Sequence, residues 1–299
     1  MFRPHIAICV CTFRRPDLLR RLLMDLARQQ TEDRFTFSIV VADNDAQQSA
    51  RPVVEEIRAT TLCPVTYVVE PRQNIALARN AAVRAAQGDY LAFIDDDEIA
   101  PERWLLTLFL ACEQFGADGV LGPVKPRYEQ TPPDWVAKGG FYDRPSYPTG
   151  LVIDWRKGRT GNVLLRRAIF VQDEDPFRPE FLTGEDQDFF RRMIERGHTF
   201  VWCHEAIAYE VVPPIRWKVS FMLRRALLRG RISIEHPTTG PADILKSFLA
   251  LPAYTLMLPC LLLAGRHHFM RFLVKICDHL GRIMAFLGLG RRAERYVTE

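Results

Sequence analysis

No cysteine framework runs through this chain. Its seven cysteines, Cys9, Cys11, Cys63, Cys112, Cys203, Cys260 and Cys277, are odd in number and scattered, with neither metal-ligand spacing nor a disulfide pattern. Buried, reduced thiols are the expectation. No export leader is expected either, because a strand-like run starts at once with His5-Ile6-Ala7-Ile8-Cys9-Val10. Both absences point to the cytoplasm. Glycine is absent from Cys11-Thr12-Phe13-Arg14-Arg15-Pro16, where a nucleotidyltransferase on a parallel sheet would want a glycine-rich phosphate loop. Charge of one sign does not dominate, at a net +4, and no nucleic-acid partner is expected.

The charge is nevertheless uneven. From Pro213 onward 14 Lys and Arg face 5 Asp and Glu, a local +9, so the first 212 residues carry −5. An acidic body over 1–212 with a basic appendage over 213–299 reads as a catalytic domain joined to something that meets anionic surfaces.

Strand and helix alternate through the first hundred residues. Apolar runs over Ile6–Thr12, Phe37–Ala42, Val65–Val69 and Tyr90–Ile94 have the pattern of strands buried on both faces. Between them lie helical stripes: one opened by Pro16-Asp17, one over Arg51–Ala59, and an Ala-rich one over Asn74–Ala86 closed by Gly88. Such repeats predict an α/β fold, a mostly parallel sheet with flanking helices. Ligands collect beyond the carboxyl ends of such strands. The polar clusters Thr12-Phe13-Arg14, Asp43-Asn44-Asp45 and Asp95-Asp96-Asp97 fall there.

Residues 122–160, rich in Gly, Pro and aromatics, carry few signs of regular structure and read as a binding loop or lid. Order returns at Gly161-Asn162-Val163-Leu164-Leu165. A helix begins near Gly184-Glu185-Asp186, and a strand pair, Thr199–Cys203 with Ala206–Glu210, closes the body. Beyond it, Trp217–Arg231 is a basic amphipathic helix suited to a headgroup surface. Ser247–Gly265 then runs 19 residues without charge, close to the roughly 20 that span a bilayer. Pro252 and Pro259 break that run and basic residues flank both sides, so a re-entrant or interfacial hairpin fits better than a single crossing. A buried hairpin of a soluble protein is the competing reading.

Carboxylates packed as tightly as Asp95-Asp96-Asp97 repel one another, and a Mg²⁺ or Mn²⁺ ion bridging to phosphate is the usual reason to group them. A carboxylate at a helix start, as in Gly184-Glu185-Asp186, can take a proton from a sugar hydroxyl; it is also a favourable cap.

Five segments in order, Ile8–Pro16, Val41–Asp45, Asn74–Asn80, Phe93–Glu98 and Gly184–Asp186, resemble the motifs of inverting family 2 glycosyltransferases with the GT-A fold. The likeness covers about residues 5–231 and is greatest for bacterial exopolysaccharide enzymes of the succinoglycan type. The resemblance implies transfer of one hexose, glucose from UDP-glucose, to a polyprenyl-diphosphate-linked oligosaccharide on the cytoplasmic face of a membrane. It implies that Thr12, Phe13, Arg14, Asp43, Asp45, Arg79, Asp95 and Asp96 meet the nucleotide sugar, that Asp95 and Asp97 hold Mg²⁺ or Mn²⁺, and that Asp186, with Glu185 beside it, is the general base.

Two positions depart from the family pattern. Ala42 replaces the first of two adjacent aspartates, and Phe13 stands where a tyrosine is usual. Arg216-Trp217 resembles a pair that closes the site in processive members, although the same residues would also anchor a tail at an interface. Asn162 and Trp135 are acceptor-site candidates by position. His198, His204 and Glu210 follow the base, where some relatives supply another metal ligand. An inactive membrane-bound sugar-nucleotide binder and a nucleotidyltransferase remain the alternative readings.

Overall fold

The computed structural model describes residues 3–181, 183–235 and 239–289; of the expected appendage, 236–238 and 290–299 lie outside them. The chain forms two compact units, Met1–Pro126 with Arg144–Val211, and Arg127–Asp143 with Val212–Glu299.

In the first unit, β1 (His5–Thr12), β2 (Thr36–Asp43), β3 (Val65–Val69) and β4 (Tyr90–Asp95) are parallel neighbours. They form one side of a seven-stranded sheet of order β3-β2-β1-β4-β8-β6-β9. β6 (Gly119–Leu121) and β9 (Phe200–Trp202) are parallel, while β8 (Asn162–Arg166) runs antiparallel between β4 and β6. The two expected closing strands do not pair with each other. β9 joins the large sheet, and β10 (Ala208–Val212) joins a small one with β5 (Glu98–Ile99) and β7 (Val124–Tyr128).

The sheet is buried on both faces. On one side lie α1 (Pro16–Leu26), α2 (Arg51–Thr60) and α4 (Trp104–Phe115), contributing Leu19, Leu22, Leu23, Leu26, Val53, Val54, Ile57 and Trp104. The other side takes α3 (Ile75–Ala85) and α6 (Glu185–Glu195), through Ala76, Ala78, Ala82, Phe189, Phe190 and Met193. Gly88 does not close α3, which ends at Ala85 with Ala86 extended. Its φ of +143° instead turns the chain against β1, where a Cβ would lie 2.6 Å from the His5 carbonyl oxygen.

The segment read as irregular contains β7, a short helix α5 (Asp134–Gly139) and a 3₁₀ turn, Trp155–Lys157. In the second unit α7 (Val219–Ile232) buries Met222, Ala226 and Gly230. The charge-free run belongs to α8 (Pro241–Ala264), and Pro252 and Pro259 lie inside that helix rather than ending it. Gly265 turns the chain into α9 (Arg266–Phe286), which packs on both α7 and α8. A Cβ on Gly230 would strike the Asp278 carbonyl, and one on Gly281 the Leu227 carbonyl. α7 and α9 therefore meet backbone to backbone. α8 buries little more than Ser247 and exposes Leu245, Phe248, Leu249, Leu256, Met257, Leu262 and Leu263. It is long and apolar enough to cross a membrane. The cysteines are free, as expected, but only Cys9, Cys112 and Cys203 are buried, and Cys260 on α8 is exposed.

Candidate active site

Parallel register brings the strand ends together. Thr12 lies opposite Asp43 across β1 and β2, and Cys11 opposite Asp95 across β1 and β4. The three carboxylates that end β4 then divide their partners. Asp96 accepts from Thr12 Oγ1 at 2.8 Å and from Arg15 at 3.1 Å. The same Arg15 nitrogen stands 3.3 Å from Asp97 Oδ2. Burial pushes the Asp96 carboxyl up to about 7 despite the Arg15 charge. Arg15, absent from the expected site, is its most direct addition.

The split between neighbouring arginines has a backbone cause. Arg14 adopts φ +54°, a left-handed conformation that sends its side chain elsewhere. Its guanidinium lies 5.0 Å from the Phe13 ring and bonds Asp45 at 3.2 and 3.3 Å. Asp43, expected at the base, is fully enclosed. It accepts from the Asp45 amide at 3.0 Å, and from the Ala50 amide and the Tyr67 hydroxyl at 2.8 Å each. Its oxygens are committed to holding the turn before α2.

Asn74 caps α3, accepting from the Ala76 and Leu77 amides. Further along the helix, Asn80 both donates to and accepts from the backbone of Phe177, at 2.7 and 2.9 Å. That clamp ties α3 to the segment leading into α6. Arg79, beside it, is 9 % exposed, hydrogen-bonds Glu185 and stands 3.9 Å from Asp95. Burial pushes the Glu185 carboxyl up to about 7 against the Arg79 charge, and Asp186 adds to the rise. Gly184, at φ +86°, opens α6. Glu185 is buried there, whereas Asp186 is partly exposed and accepts from the Gln187 amide at 2.8 Å. Only the second carboxylate is presented outward.

A second acidic group adjoins Asp95. Antiparallel register sets Glu98 opposite Glu210, and Arg144 donates to Glu210. Glu98 is 1 % exposed and its Oε1 has no hydrogen-bond partner. Burial, then the charges of Asp95 and Asp97, push its carboxyl well above the usual range. Both acidic side chains crowd Gly161, where a Cβ would lie 2.9 Å from Asp95 Oδ2 and 3.1 Å from Glu98 Oε1. Among the described residues no three His, Cys, Asp or Glu side chains are grouped to hold a metal. Asp95, Asp97 and the orphaned Glu98 oxygen are nonetheless hard oxygen donors, which suit Mg²⁺ or Mn²⁺ once phosphate oxygens complete the shell.

The remaining positions lie elsewhere. Asn162 is 2 % exposed, accepts from Trp104 Nε1 at 2.8 Å, and donates to the Pro123 and Ala206 carbonyls at 3.0 and 2.7 Å. It braces the end of the sheet with every group it has. His198 faces Asp118 at 3.5 Å and His204 meets Ser146 at 2.9 Å. In the second unit Trp135 packs edge-on against Phe141 with Arg266 over its ring. Arg216 is buried and its carbonyl accepts from Tyr142, while Trp217 packs on Tyr128.

Comparison with known proteins agrees with this geometry. The model of glycosyl transferase family 2 matches residues 7–172. The succinoglycan biosynthesis protein ExoM of Rhizobium meliloti (strain 1021) is 35% identical over 304 residues, 98% of this chain and 96% of that protein. Among solved structures, the mannosyltransferase PcManGT of Pyrobaculum calidifontis, in complex with GDP-Man and Mn²⁺, aligns with a TM-score of 0.59 at 18% identity, over 96% of this chain and 88% of that one. S. aureus TarS 1-349 with UDP-GlcNAc aligns at 0.54 and 16% identity, over 95% and 92%. The fold is GT-A, and the chain belongs to glycosyl transferase family 2.

Proposed function

We propose that this protein is an inverting, metal-dependent hexosyltransferase that adds one sugar, glucose from UDP-glucose, to a polyprenyl-diphosphate-linked oligosaccharide during exopolysaccharide or other cell-surface polysaccharide synthesis. The observation that carries the reading is the meeting of Asp95, Arg79 and Glu185, in which one buried arginine joins a strand-end carboxylate to the start of α6, where Asp186 follows Glu185. Relatedness to a succinoglycan biosynthesis protein supports the pathway class, and complexes of two fold relatives with GDP-Man and UDP-GlcNAc support a sugar-nucleotide donor.

Asp186 takes the proton of the acceptor hydroxyl, whose oxygen attacks the anomeric carbon as the bond to the diphosphate breaks. A single in-line displacement inverts that centre. Glu185, spent on Arg79, leaves Asp186 as the base. A divalent cation held by Asp95 and Asp97 would neutralise the departing diphosphate. Thr12, Phe13, Arg14, Asp45 and Asp96 frame the nucleotide side. α8, with its apolar surface exposed, and the basic face of α7 and α9 hold the enzyme on the cytoplasmic side of the membrane.

The experiment is a sugar-nucleotide panel on membranes containing the protein, with Mg²⁺ or Mn²⁺ and a lipid-linked acceptor extract. One labelled hexose enters the lipid fraction, and EDTA or Asp186→Asn abolishes the transfer. Tight UDP binding with no transfer from any donor would instead favour an inactive binder.

A further inference from the structure

A cleft in the first unit is lined by four cations, Arg144, Arg156, Lys157 and Arg159, and by Tyr147 and Trp202. Two of the cations are neutralised within the protein: Arg144 by Glu210 and Lys157 by Asp154. Arg156 and Arg159 are exposed and form no ion pair among the described residues. The cleft thus offers two guanidinium groups without an ion-pair partner, Arg156 stacked over the Trp155 ring at 4.7 Å, and guanidinium is the group best matched to carboxylate or phosphate oxygens. Tyr147 and Trp202 meet edge to face at 5.1 Å and give it an aromatic wall, with the Lys157 ammonium 5.5 Å from the Tyr147 ring centre. Trp202 is only 6% exposed, and its Nε1 has no hydrogen-bond partner.

Its position separates it from the nucleotide side. The residues expected to meet the nucleotide end β1, β2 and β4, whereas the cleft is lined from β6, β8 and β9 through Leu121, Asn162 and Trp202, beyond β4 in the sheet order. Gly161 lines the cleft, and a Cβ built on it would lie 2.9 Å from Asp95 Oδ2. A ligand in the cleft would therefore lie next to the reacting sugar without displacing the nucleotide.

We infer that this cleft is the subsite for an anionic group of the acceptor, bound by Arg156 and Arg159 with a sugar ring against the aromatic wall. The inference rests on the hexosyltransferase reading for the word acceptor, but the anion site itself does not. The anion is either a phosphate of the lipid carrier or the carboxylate of an acidic sugar.

The full-length protein, saturated with UDP and Mg²⁺, is titrated calorimetrically with sulfate, standing for a tetrahedral phosphate, and with methyl β-glucuronide, standing for a sugar carboxylate. One probe binds, and Arg156→Gln/Arg159→Gln weakens it about tenfold or more, as expected for losing charge-assisted hydrogen bonds, with UDP affinity within about twofold of the wild type. Preference for sulfate assigns the lipid phosphate, and preference for the glucuronide an acidic sugar. The inference is overturned if neither probe binds, if the double variant binds both as the wild type does, or if UDP competes with the probe. Titrating the wild type with UDP alone, and repeating the probe titration without UDP, separates the two readings: failure to bind UDP sinks the sugar-nucleotide donor, while the probe titration decides the anion site.

Discussion

Arg79 and Glu185 form a buried ion pair between residues 106 apart in the chain, and the same guanidinium reaches Asp95 at 3.9 Å. A pair so enclosed is held in place by mutual need, because either partner alone would be an uncompensated buried charge. Glu185→Ala is expected to lower unfolding free energy by about 3 kcal/mol, measured by urea denaturation. Glu185→Gln, which keeps a hydrogen-bonding carbonyl, should lose less and retain UDP binding better than the alanine variant. Equal loss in both would mean that the charge at Glu185 does not position Arg79.

The same pair has a pH signature. Glu185 titrates at about 7 in the folded protein, above its ordinary 4.5, chiefly through burial. A carboxyl raised in the folded state binds its proton more tightly there than in the unfolded chain. Its contribution is thus most favourable below 4.5 and is lost as pH rises toward 7. The melting temperature of Glu185→Gln should gain on the wild type from pH 5 to 7 and then level off. A constant difference across that range would refute the assignment.

Asp186 is the outward carboxylate of α6, and its neutral isostere tests the base role. Asp186→Asn should cut transfer at least ~10³-fold, within the range of a general base and its charge. Calorimetric affinity for UDP should stay unchanged, because the proposed base role sets the residue toward the acceptor. A fall in UDP affinity of the same size would place Asp186 with the donor instead.

Arg15 shares its guanidinium between Asp96 and Asp97, so a divalent cation at Asp97 must compete with a charge already there. Arg15→Gln is expected to tighten Mn²⁺ binding about fivefold, read by electron paramagnetic resonance of free Mn²⁺. Asp97→Asn should abolish it. Weaker Mn²⁺ binding in Arg15→Gln would reverse the argument and make Arg15 a support for the ion.

On α8, Leu256 and Leu263 are 80% and 91% exposed, so changing them leaves packing intact. Leu256→Glu/Leu263→Glu should keep the wild-type melting temperature yet lose flotation with vesicles containing anionic lipid, since placing a carboxylate in an apolar layer costs about 2–3 kcal/mol. Undiminished flotation would move the anchoring to the basic faces of α7 and α9.

Much of this architecture was legible in the sequence, for identifiable reasons. β1 to β4 are short apolar runs, and the polar clusters that end them gather into the candidate site. α4 was missed because its surface is apolar nearly all round, from Trp104 through Cys112, and shows no polar stripe to mark a period. The prolines of α8 read as breaks because each removes one backbone hydrogen bond, yet a long apolar helix tolerates them. Arg15 was passed over since Arg14-Arg15 look equivalent in one dimension; the left-handed turn at Arg14 decides which of them meets Asp97. Glu98, Arg144 and Glu210 converge through the pairing of β5 with β10, a contact between distant segments that local pattern cannot report.

The glycine contacts between α7 and α9 have a practical consequence for anyone wishing to purify this enzyme free of detergent. Gly230 and Gly281 let two backbones touch, so α7 has its partner only in the last stretch of the described chain. Cutting the gene after residue 265 would remove the sticky helix's neighbour and strand α7 with its bare flank toward water. The sounder route to a soluble preparation keeps every helix and repaints the outside of α8 with polar side chains.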